Sequence, residues 1–118
     1  MNNKPELPLR PWGNFQKLFQ EPGLWVKRIE VNPGARLSLQ RHEKRSEKWV
    51  FVHGLGLAIV EGKQIPVKKG TVVDIPLGAV HRIGNTGEDP LIFIEVATGS
   101  YLAEDDIVRI EDDYDRKS

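Results

Sequence analysis

Short apolar stretches separated by glycine and proline constrain the fold of this chain more than any other sequence feature. No long stretch repeats its apolar residues with the 3.6-residue period of an amphipathic helix. Instead, apolar and polar residues alternate over short runs, as they do in half-buried strands. Such runs occupy residues 24–31, 36–42, 48–53, 57–60, 64–68, 71–75, 81–84 and 91–96. Eight or nine short strands with frequent turns predict an all-β antiparallel sandwich or barrel.

Turn residues mark where these strands end. The Asn-Pro-Gly sequence at 32–34 ends the first run, and Glu-Gly-Lys at 61–63 is typical of a hairpin. Pro-Leu-Gly at 76–78 predicts a further turn shortly before His81. Because every second residue of a strand lines the inside of a small barrel, the alternation also predicts which side chains point inward.

The length and the missing cysteines exclude several classes of protein. The chain has 118 residues, three histidines and no cysteine. We expect one domain over 1–118, with its core at about 10–103. Disulfides, thiolate metal sites and a cysteine nucleophile are excluded. No apolar run approaches the ~20 residues of a membrane-spanning helix, and residues 1–10 lack the apolar core of a secretion signal, so we expect a soluble cytoplasmic protein.

The charged residues balance overall but are unevenly distributed. Residues 1–103 carry 14 basic and 10 acidic side chains, whereas residues 104–118 carry 3 basic and 7 acidic ones. A mildly basic body with an acidic end favours a small anionic ligand over nucleic acid. We expect the acidic end to form a helical turn and a strand over 107–110 that packs on the body, with residues 114–118 frayed.

Three potential metal ligands, His42, Glu47 and His81, occur in settings that a barrel can bring together. Gln40 and His42 are two residues apart, so on a strand they point to one face, about 7 Å apart. A four-residue turn lets Glu47 return toward that face, and His81 follows the turn at 76–78. Imidazole, carboxylate and amide groups suit zinc, manganese, iron or cobalt. Taken singly, each of these residues is more typical of an ordinary hydrogen-bonded position.

The spacing around these residues resembles the two sequence motifs of the cupin superfamily. The blocks read Gly34-x5-Gln40-x-His42-x4-Glu47-x6-Gly54 and Gly70-x5-Pro76-x-Gly78-x2-His81-x3-Asn85. Gln40 stands where most cupins carry their first histidine. Each motif alone is a weak signal, but every gap of both motifs is present.

A narrower resemblance covers the chain from about residue 10 to residue 116. It is similar to the type II mannose-6-phosphate isomerase (phosphomannose isomerase) cupin domain, found at the C-terminus of bifunctional mannose-1-phosphate guanylyltransferases. The stretches that carry this resemblance lie at 10–13, 33–40, 45–49, 75–76, 80–82, 90–91, 94–96 and 99–109. The sequence contains no glycine-rich nucleotide-binding start, so we do not expect guanylyltransferase activity.

The resemblance implies a double-stranded β-helix, or jelly-roll barrel, with a metal and a substrate in its mouth. The implied reaction is the reversible isomerisation of mannose 6-phosphate to fructose 6-phosphate. The implied ion is zinc, with manganese, cobalt, iron or nickel as alternatives. The implied metal ligands are Gln40, His42, Glu47 and His81.

Positively charged residues are candidates for binding the phosphate of such a substrate. Arg45 and Arg109 lie in the stretches most similar to the family, and a guanidinium group can bind two phosphate oxygens at once. Arg36, Lys44 and Arg82 are secondary candidates. The proton-transfer group is left open, since either a carboxylate or a lysine near the metal fits. A homodimer is expected from the fold.

The sequence also departs from the family. Glu43 and Lys44 interrupt the usual histidine-rich run, Lys48 replaces a histidine, and Ala103 replaces a glycine. The ligand positions are unaffected, so these changes bear on substrate and turnover. Two alternatives stay open: a metal- or sugar-binding cupin without isomerase turnover, and a cupin enzyme, such as an oxygenase, that acts on another small molecule.

Several further residues have structural interpretations. We expect the three tryptophans, Trp12, Trp25 and Trp49, to pack in the core or at an interface, with a place in the sugar pocket as the alternative for one of them. His53 precedes a turn glycine and is expected in solvent. The acidic residues at 104–106 are expected to form a turn or to pair with a nearby arginine.

Overall fold

A computed structural model describes residues 9–115, and every regular element in that range is a β-strand. The outer ends of the predicted domain, residues 1–8 and 116–118, lie outside the described residues. The strands are β1 Leu9–Arg10, β2 Gly13–Glu21, β3 Leu24–Val31, β4 Leu39–Arg41, β5 Arg45–His53, β6 Gly56–Val60, β7 Lys63–Val67, β8 Val72–Ile75, β9 His81–Asn85, β10 Leu91–Gly99 and β11 Val108–Glu111.

The strands form two antiparallel sheets. The six-stranded sheet has the order β1-β2-β3-β10-β5-β8, and the five-stranded sheet has the order β11-β4-β9-β6-β7. Between β1 and β11 the chain passes from one sheet to the other seven times, first between β3 and β4 and last between β10 and β11. The predicted all-β fold is confirmed.

The register of the six-stranded sheet arranges its inward side chains in rows. Phe93 of β10 lies between Ile29 and Phe51, which makes one row apolar. The next inward residue of β10, Glu95, pairs with Lys27 on one side and Trp49 on the other. The interior therefore changes from apolar to charged along the strands.

Aromatic rings form the apolar half of the interior. The ring centroids of Phe51 and Phe93 are 4.9 Å apart, and those of Trp49 and Phe93 are 5.0 Å apart. Trp12 and Trp25 are buried as well. All three tryptophans thus lie inside the barrel, where core packing was expected.

Strand β2 is observed although it was not predicted, and the strand predicted at 36–42 is shorter than expected. Strand β2 was not expected, because Leu18 and Phe19 break the alternation of the sequence. The structure shows why the pattern fails there, since the pairing of β2 with β3 shifts register between Lys17 and Phe19. The run at 36–42 is also shorter than predicted: its strand is β4, and Arg36 adds only an isolated bridge to Gly84.

The predicted hairpin at 61–63 joins β6 to β7. Its two central residues, Glu61 and Gly62, have φ values of 48° and 79°. Both angles lie in the left-handed region, as a two-residue turn between twisted antiparallel strands requires. Lys63 already belongs to β7.

Residues 100–107, here called the C-terminal connection, cross the barrel between β10 and β11. The predicted helical turn is a single hydrogen-bonded turn, closed by the Asp106 amide and the Ala103 carbonyl at 3.2 Å. The Asp106 carboxylate accepts hydrogen bonds from the amides of Glu43 and Lys44 at 3.0 Å, which ties this turn to the connection between β4 and β5. The following strand, β11, pairs with β4.

The outer face of the six-stranded sheet carries aliphatic residues at its centre. On β10 the outward residues Ile92, Ile94 and Val96 are half-buried. Ile94 lies beside Val50 of β5, which in turn pairs with Val72 of β8. Further outward aliphatic residues are Val26 and Val52. A strand with apolar residues on both faces is typical of a sheet that is covered on both faces.

No helix with the length and apolar character needed to cross a bilayer is found between residues 9 and 115.

Candidate metal centre

His42, Glu47 and His81 meet inside the barrel. One potential ligand atom from each residue lies within 4.8 Å of the others. His42 follows β4, Glu47 is an inward residue of β5, and His81 is the first residue of β9. The side chains are almost fully buried, with exposed fractions of 3%, 4% and 1%. We call these three residues the trio.

Two turns bring the histidines together. The amide of Gly78, in the turn after β8, donates a hydrogen bond to the His42 carbonyl at 2.9 Å. This bond ties the chain before His81 to the connection between β4 and β5. Gly78 has a φ of 78°, a left-handed value that glycine adopts without strain.

Each imidazole is held from behind by a backbone carbonyl. Nδ1 of His42 lies 2.7 Å from the Asp106 oxygen, and Nδ1 of His81 lies 2.8 Å from the Ala79 oxygen. Because a carbonyl can only accept, each Nδ1 carries the proton and each Nε2 carries a lone pair, which in His42 faces a guanidinium nitrogen of Arg45 at 3.2 Å. This is how histidines that bind metals are usually oriented.

The pKa values in the trio favour ligands without bound protons at neutral pH. Burial lowers the pKa of His42 to about 4, although the Glu47 carboxylate opposes this effect. Burial also lowers the pKa of His81. On its own, burial raises the pKa of Glu47, but the neighbouring His42 and Arg45 outweigh it and lower the value to about 2.

Arg45 fixes the trio from one side. Its Nε donates to Glu47 at 2.8 Å, one terminal nitrogen lies 3.2 Å from Nε2 of His42, and the other donates to the Ala103 carbonyl at 3.1 Å. The guanidinium carbon also lies 4.7 Å from the centre of a Trp25 ring. The sequence predicts that Arg45 contacts the substrate. Its observed contacts also hold His42 and Glu47 in place.

A cavity of about 110 Å³ lies beside the trio. His42 lines it together with Gln40, Arg45 and Arg109. The backbone of Gln40 pairs with that of His81, and its side-chain oxygen accepts a hydrogen bond from Ser38 at 2.7 Å. The predicted site residues are thus gathered in one place.

Lys27 and Glu95 line the same cavity and were not singled out from the sequence. Nε1 of Trp25 donates to Glu95 at 2.9 Å. Burial raises the pKa of Glu95 to about 8, the Glu47 charge adds to the rise, and Lys27 opposes it. Burial lowers the pKa of Lys27, while Glu95 and Glu104 oppose that shift. The sequence signal that could have identified Lys27 and Glu95 is that both are charged residues at inward positions of strands whose other inward residues are mostly apolar.

The secondary phosphate candidates lie outside this cavity. Arg36 forms a bidentate pair with Asp113 at 2.6 and 2.8 Å. Arg82 donates to the Leu37 carbonyl at 2.9 Å, and Lys44 is exposed, with its amine 5.3 Å from the Tyr101 ring centre. His53 is exposed, as expected, and its Nδ1 lies 2.9 Å from the Pro90 oxygen.

The acidic residues at 104–106 behave differently from one another. Glu104 pairs with Lys27, the carboxylate of Asp105 accepts a hydrogen bond from Tyr101 at 2.8 Å, and Asp106 is buried. They form the expected turn. The partner of Glu104 is a lysine, not the arginine anticipated as an alternative.

The trio fits a divalent metal ion. Nε2 of His81 is buried and has no hydrogen-bond partner among the described residues, as expected of an atom that faces a bound ion. Two neutral imidazoles and a carboxylate are a common donor set for zinc and related ions. The arrangement can therefore hold a metal at the wall of a charged cavity.

The sequence is similar to known proteins over nearly its whole length. Residues 3–112 match the family described as "Mannose-6-phosphate isomerase C-terminal". The chain is 45% identical over 107 residues to a mannose-1-phosphate guanylyltransferase of Klebsiella pneumoniae, with 91% of this chain and 23% of the relative covered. It is also 45% identical to the alginate biosynthesis protein AlgA of Pseudomonas aeruginosa, with 91% and 22% covered. The chain thus spans less than a quarter of the length of these relatives.

Solved structures share the fold at lower sequence identity. The capsular polysaccharide assembling protein CapF of Staphylococcus aureus has a TM-score of 0.79 at 24% identity, with 90% of this chain and 34% of that one covered. The cupin domain of Schizosaccharomyces pombe Cnp3 has a TM-score of 0.71 at 21% identity, with 73% and 64% covered. The fold is thus a cupin barrel, and the family match shows that the chain belongs to the mannose-6-phosphate isomerase C-terminal family.

Proposed function

We propose that this protein is a metal-dependent sugar-phosphate isomerase that interconverts mannose 6-phosphate and fructose 6-phosphate. The observation that carries the proposal is the trio, a buried metal-type donor set at the wall of a cavity lined by positive charge. Membership of the family supports the choice of substrate.

We assign the metal to Gln40, His42, Glu47 and His81, with zinc as the ion. His42, Glu47 and His81 offer the buried nitrogen and carboxylate atoms described above, and Gln40 supports the set from the neighbouring position beside His81. A divalent ion held by these residues would supply Lewis-acid chemistry for the negative charge that develops on the sugar oxygens.

The residues of the chain supply the other requirements of an aldose–ketose isomerisation. Arg45 and Arg109 are the proposed substrate contacts, and both line the cavity. A proton must leave C2 of the aldose and be returned at C1 to give the ketose. Beside the trio, Glu95 is the carboxyl of the cavity wall that fits this task.

The family departures lie outside the cavity wall. Glu43, Lys44 and Lys48 are exposed, and Lys48 pairs with Asp74 at 2.8 Å on the outer surface. These three side chains make none of the contacts of the trio. The fourth departure, Ala103, contacts Arg45 through its backbone carbonyl, which does not depend on its side chain. This favours retained turnover over the alternative of a binding cupin without activity.

We also propose that two copies of the chain form a homodimer through the apolar outer face of the six-stranded sheet. Charges on this face are paired within one copy, Arg28 with Glu30 at 3.1 Å and Lys48 with Asp74 at 2.8 Å. A neutral, aliphatic face suits a second copy of itself. The neighbouring strands β2, β3, β10 and β5 have 8 or 9 residues each, so they are about 28 Å long and, at about 4.8 Å spacing, cover about 540 Å². Two copies would bury about 1,100 Å², which is at the low end for a specific interface. The cytoplasmic location stays a prediction.

An assay of fructose 6-phosphate formation tests the proposed activity. The purified protein is stripped of metal and reloaded with zinc, manganese, cobalt or iron. We expect turnover of mannose 6-phosphate with at least one ion and none in the stripped protein. Metal binding without turnover for every ion would contradict the isomerase and favour a binding cupin.

A further inference from the structure

We infer that Lys27 anchors the anionic group of the ligand, and that Glu104 occupies this position until a phosphate displaces it. The choice of a sugar phosphate as the ligand rests on the proposed function. The exchange of one anion for another at Lys27 is a separate claim about the contacts of the cavity.

Lys27 is unusual because its ammonium group lies inside the barrel. The residue is 4% exposed, and it lies on the inward face of β3. Its Nζ lies 3.8 Å from the centre of a Trp25 ring and 4.4 Å from the centre of the Phe15 ring. Two aromatic faces thus hold the charge at the cavity wall, where it can contact a ligand.

The counter-ion of Lys27 comes from the surface of the molecule. Glu104 pairs with Nζ of Lys27, yet its side chain is 49% exposed and belongs to the C-terminal connection. Glu95, the other carboxyl near Lys27, is buried and held by Trp25 at 2.9 Å. Glu104 is therefore the acidic partner that can leave for solvent without a large desolvation change.

The cavity has more positive than negative groups in its wall. Besides Lys27, the lining includes Arg10, whose guanidinium carbon lies 4.8 Å from the Phe15 ring centre, and Arg109. An anion that replaces Glu104 thus meets several cations. A phosphate monoester carries nearly two negative charges and three acceptor oxygens, so it is a stronger partner for them than one carboxylate.

The small size of the cavity also indicates that Glu104 moves when a ligand binds. At about 110 Å³ it is smaller than the ~300 Å³ at which small-molecule sites usually begin. Outward rotation of the Glu104 side chain alone would widen the cavity, because Glu104 is part of its lining. Arg45 cannot move in the same way, since its bonds hold Glu47 and the Ala103 carbonyl.

Calorimetric titration of the metal-free protein with inorganic phosphate tests this inference. In E104Q the side chain is a neutral amide, so it no longer competes with phosphate for Lys27. We expect phosphate to bind at least about fivefold tighter than in the unmodified protein. In K27M we expect binding at least about tenfold weaker. K48M, which removes an exposed lysine from a surface pair, is the matched control and should leave binding unchanged.

The variants separate the inference from the proposed function. Glu104 is half-exposed, so E104Q remains informative even where the loss of the buried Lys27 charge prevents K27M from folding, which circular dichroism reports. Equal phosphate affinity of E104Q and the unmodified protein would overturn the inference, whether or not the protein isomerises sugars. Tighter binding by E104Q together with no isomerase turnover would support the inference and reject the proposed function.

Discussion

His42 and His81 owe their orientation to hydrogen bonds made by Nδ1, the ring nitrogen that points away from the other members of the trio. Each Nδ1 is fixed by a backbone carbonyl, at 2.7 and 2.8 Å, and backbone carbonyls do not depend on the identity of a neighbouring side chain. The lone pairs of the two Nε2 atoms are thereby directed inward before any ion binds. Such preorganisation lowers the conformational entropy lost on metal binding.

Replacing His81 tests the ligand assignment directly. We expect His81→Ala to lower the metal content of the purified protein at least about tenfold, because a buried nitrogen donor is lost. Elemental analysis after dialysis measures this. His53→Ala, at an exposed histidine outside the cavity, is the control. Unchanged metal content in His81→Ala would show that the ligand set is wrong.

Glu95 predicts a pH dependence of stability in the metal-free protein. Its pKa is raised from 4.5 to about 8, so between these values the folded protein holds a proton that the unfolded chain has released. Stability from this group therefore falls as pH rises through the window, by up to about 1.4 kcal/mol per pH unit.

Urea unfolding of the unmodified protein and of Glu95→Gln between pH 5 and pH 8 measures this contribution. The lowered pKa of His42 makes stability rise with pH below pH 6.5, which opposes the effect of Glu95. Both proteins share the His42 effect, so the difference in stability between them isolates Glu95. We expect the stability of Glu95→Gln relative to the unmodified protein to increase with pH. A constant difference would contradict the raised pKa.

The sequence could identify the trio but not the roles of its neighbours. Motif spacing singled out His42, Glu47 and His81, since a metal site needs those residue types at fixed positions along strands. The bonds of Arg45 to two of the trio depend on the path of its side chain, which spacing does not specify. The charged row of Lys27 and Glu95 depends on the register between β3 and β10, which is set by pairing over long sequence distances.

The C-terminal connection is the element that joins the surface of the molecule to its site. The Asp106 carboxylate accepts hydrogen bonds from the amides of Glu43 and Lys44, and the Asp106 backbone carbonyl orients His42. The same segment carries Glu104 to Lys27. One short loop thus contacts both the trio and the charged wall of the cavity.

Removing the Asp106 carboxylate should weaken this connection. Two charge-assisted hydrogen bonds to backbone amides are lost in Asp106→Ala, so we expect the free energy of unfolding to fall by about 2–4 kcal/mol. Urea denaturation measures the change. Asp105→Ala, next to it but exposed, is the matched control and should change stability by less than about 0.5 kcal/mol. Equal effects of the two substitutions would contradict the role given to Asp106.

β3 was predictable although its sequence alternates imperfectly, whereas β2 was not. The run at 24–31 coincides with β3, whose exposure alternates without interruption. β2 escaped notice because its second half is exposed and its pairing shifts near Phe19. A local pattern cannot encode a strand that is stabilised mainly by its neighbours.

At the scale of the whole molecule, the two faces of the six-stranded sheet differ in what they contact. The inner face carries the core and the site, whereas the outer face presents Ile92, Ile94 and Val96 at its centre. Nothing in the alternation of the sequence required apolar residues on the second face. The proposed homodimer accounts for them.

A charge at the centre of the outer face should separate the proposed dimer. We expect Ile94→Lys to be monomeric, because burying an unpaired ammonium group between two apolar surfaces costs several kcal/mol. Light scattering coupled to size-exclusion chromatography measures the mass. Leu55→Lys, at an exposed apolar residue in the turn before β6, is the control and should remain dimeric. A monomeric unmodified protein would contradict the dimer itself.

The apolar outer face also makes dilution a relevant perturbation of this fold. If two copies bury the face together, folding and association share one equilibrium, and the midpoint of thermal unfolding rises with protein concentration. Each tenfold dilution then removes about 1.4 kcal/mol of association free energy per dimer. Newly made chains at low abundance would be the least stable, before a second copy is within reach.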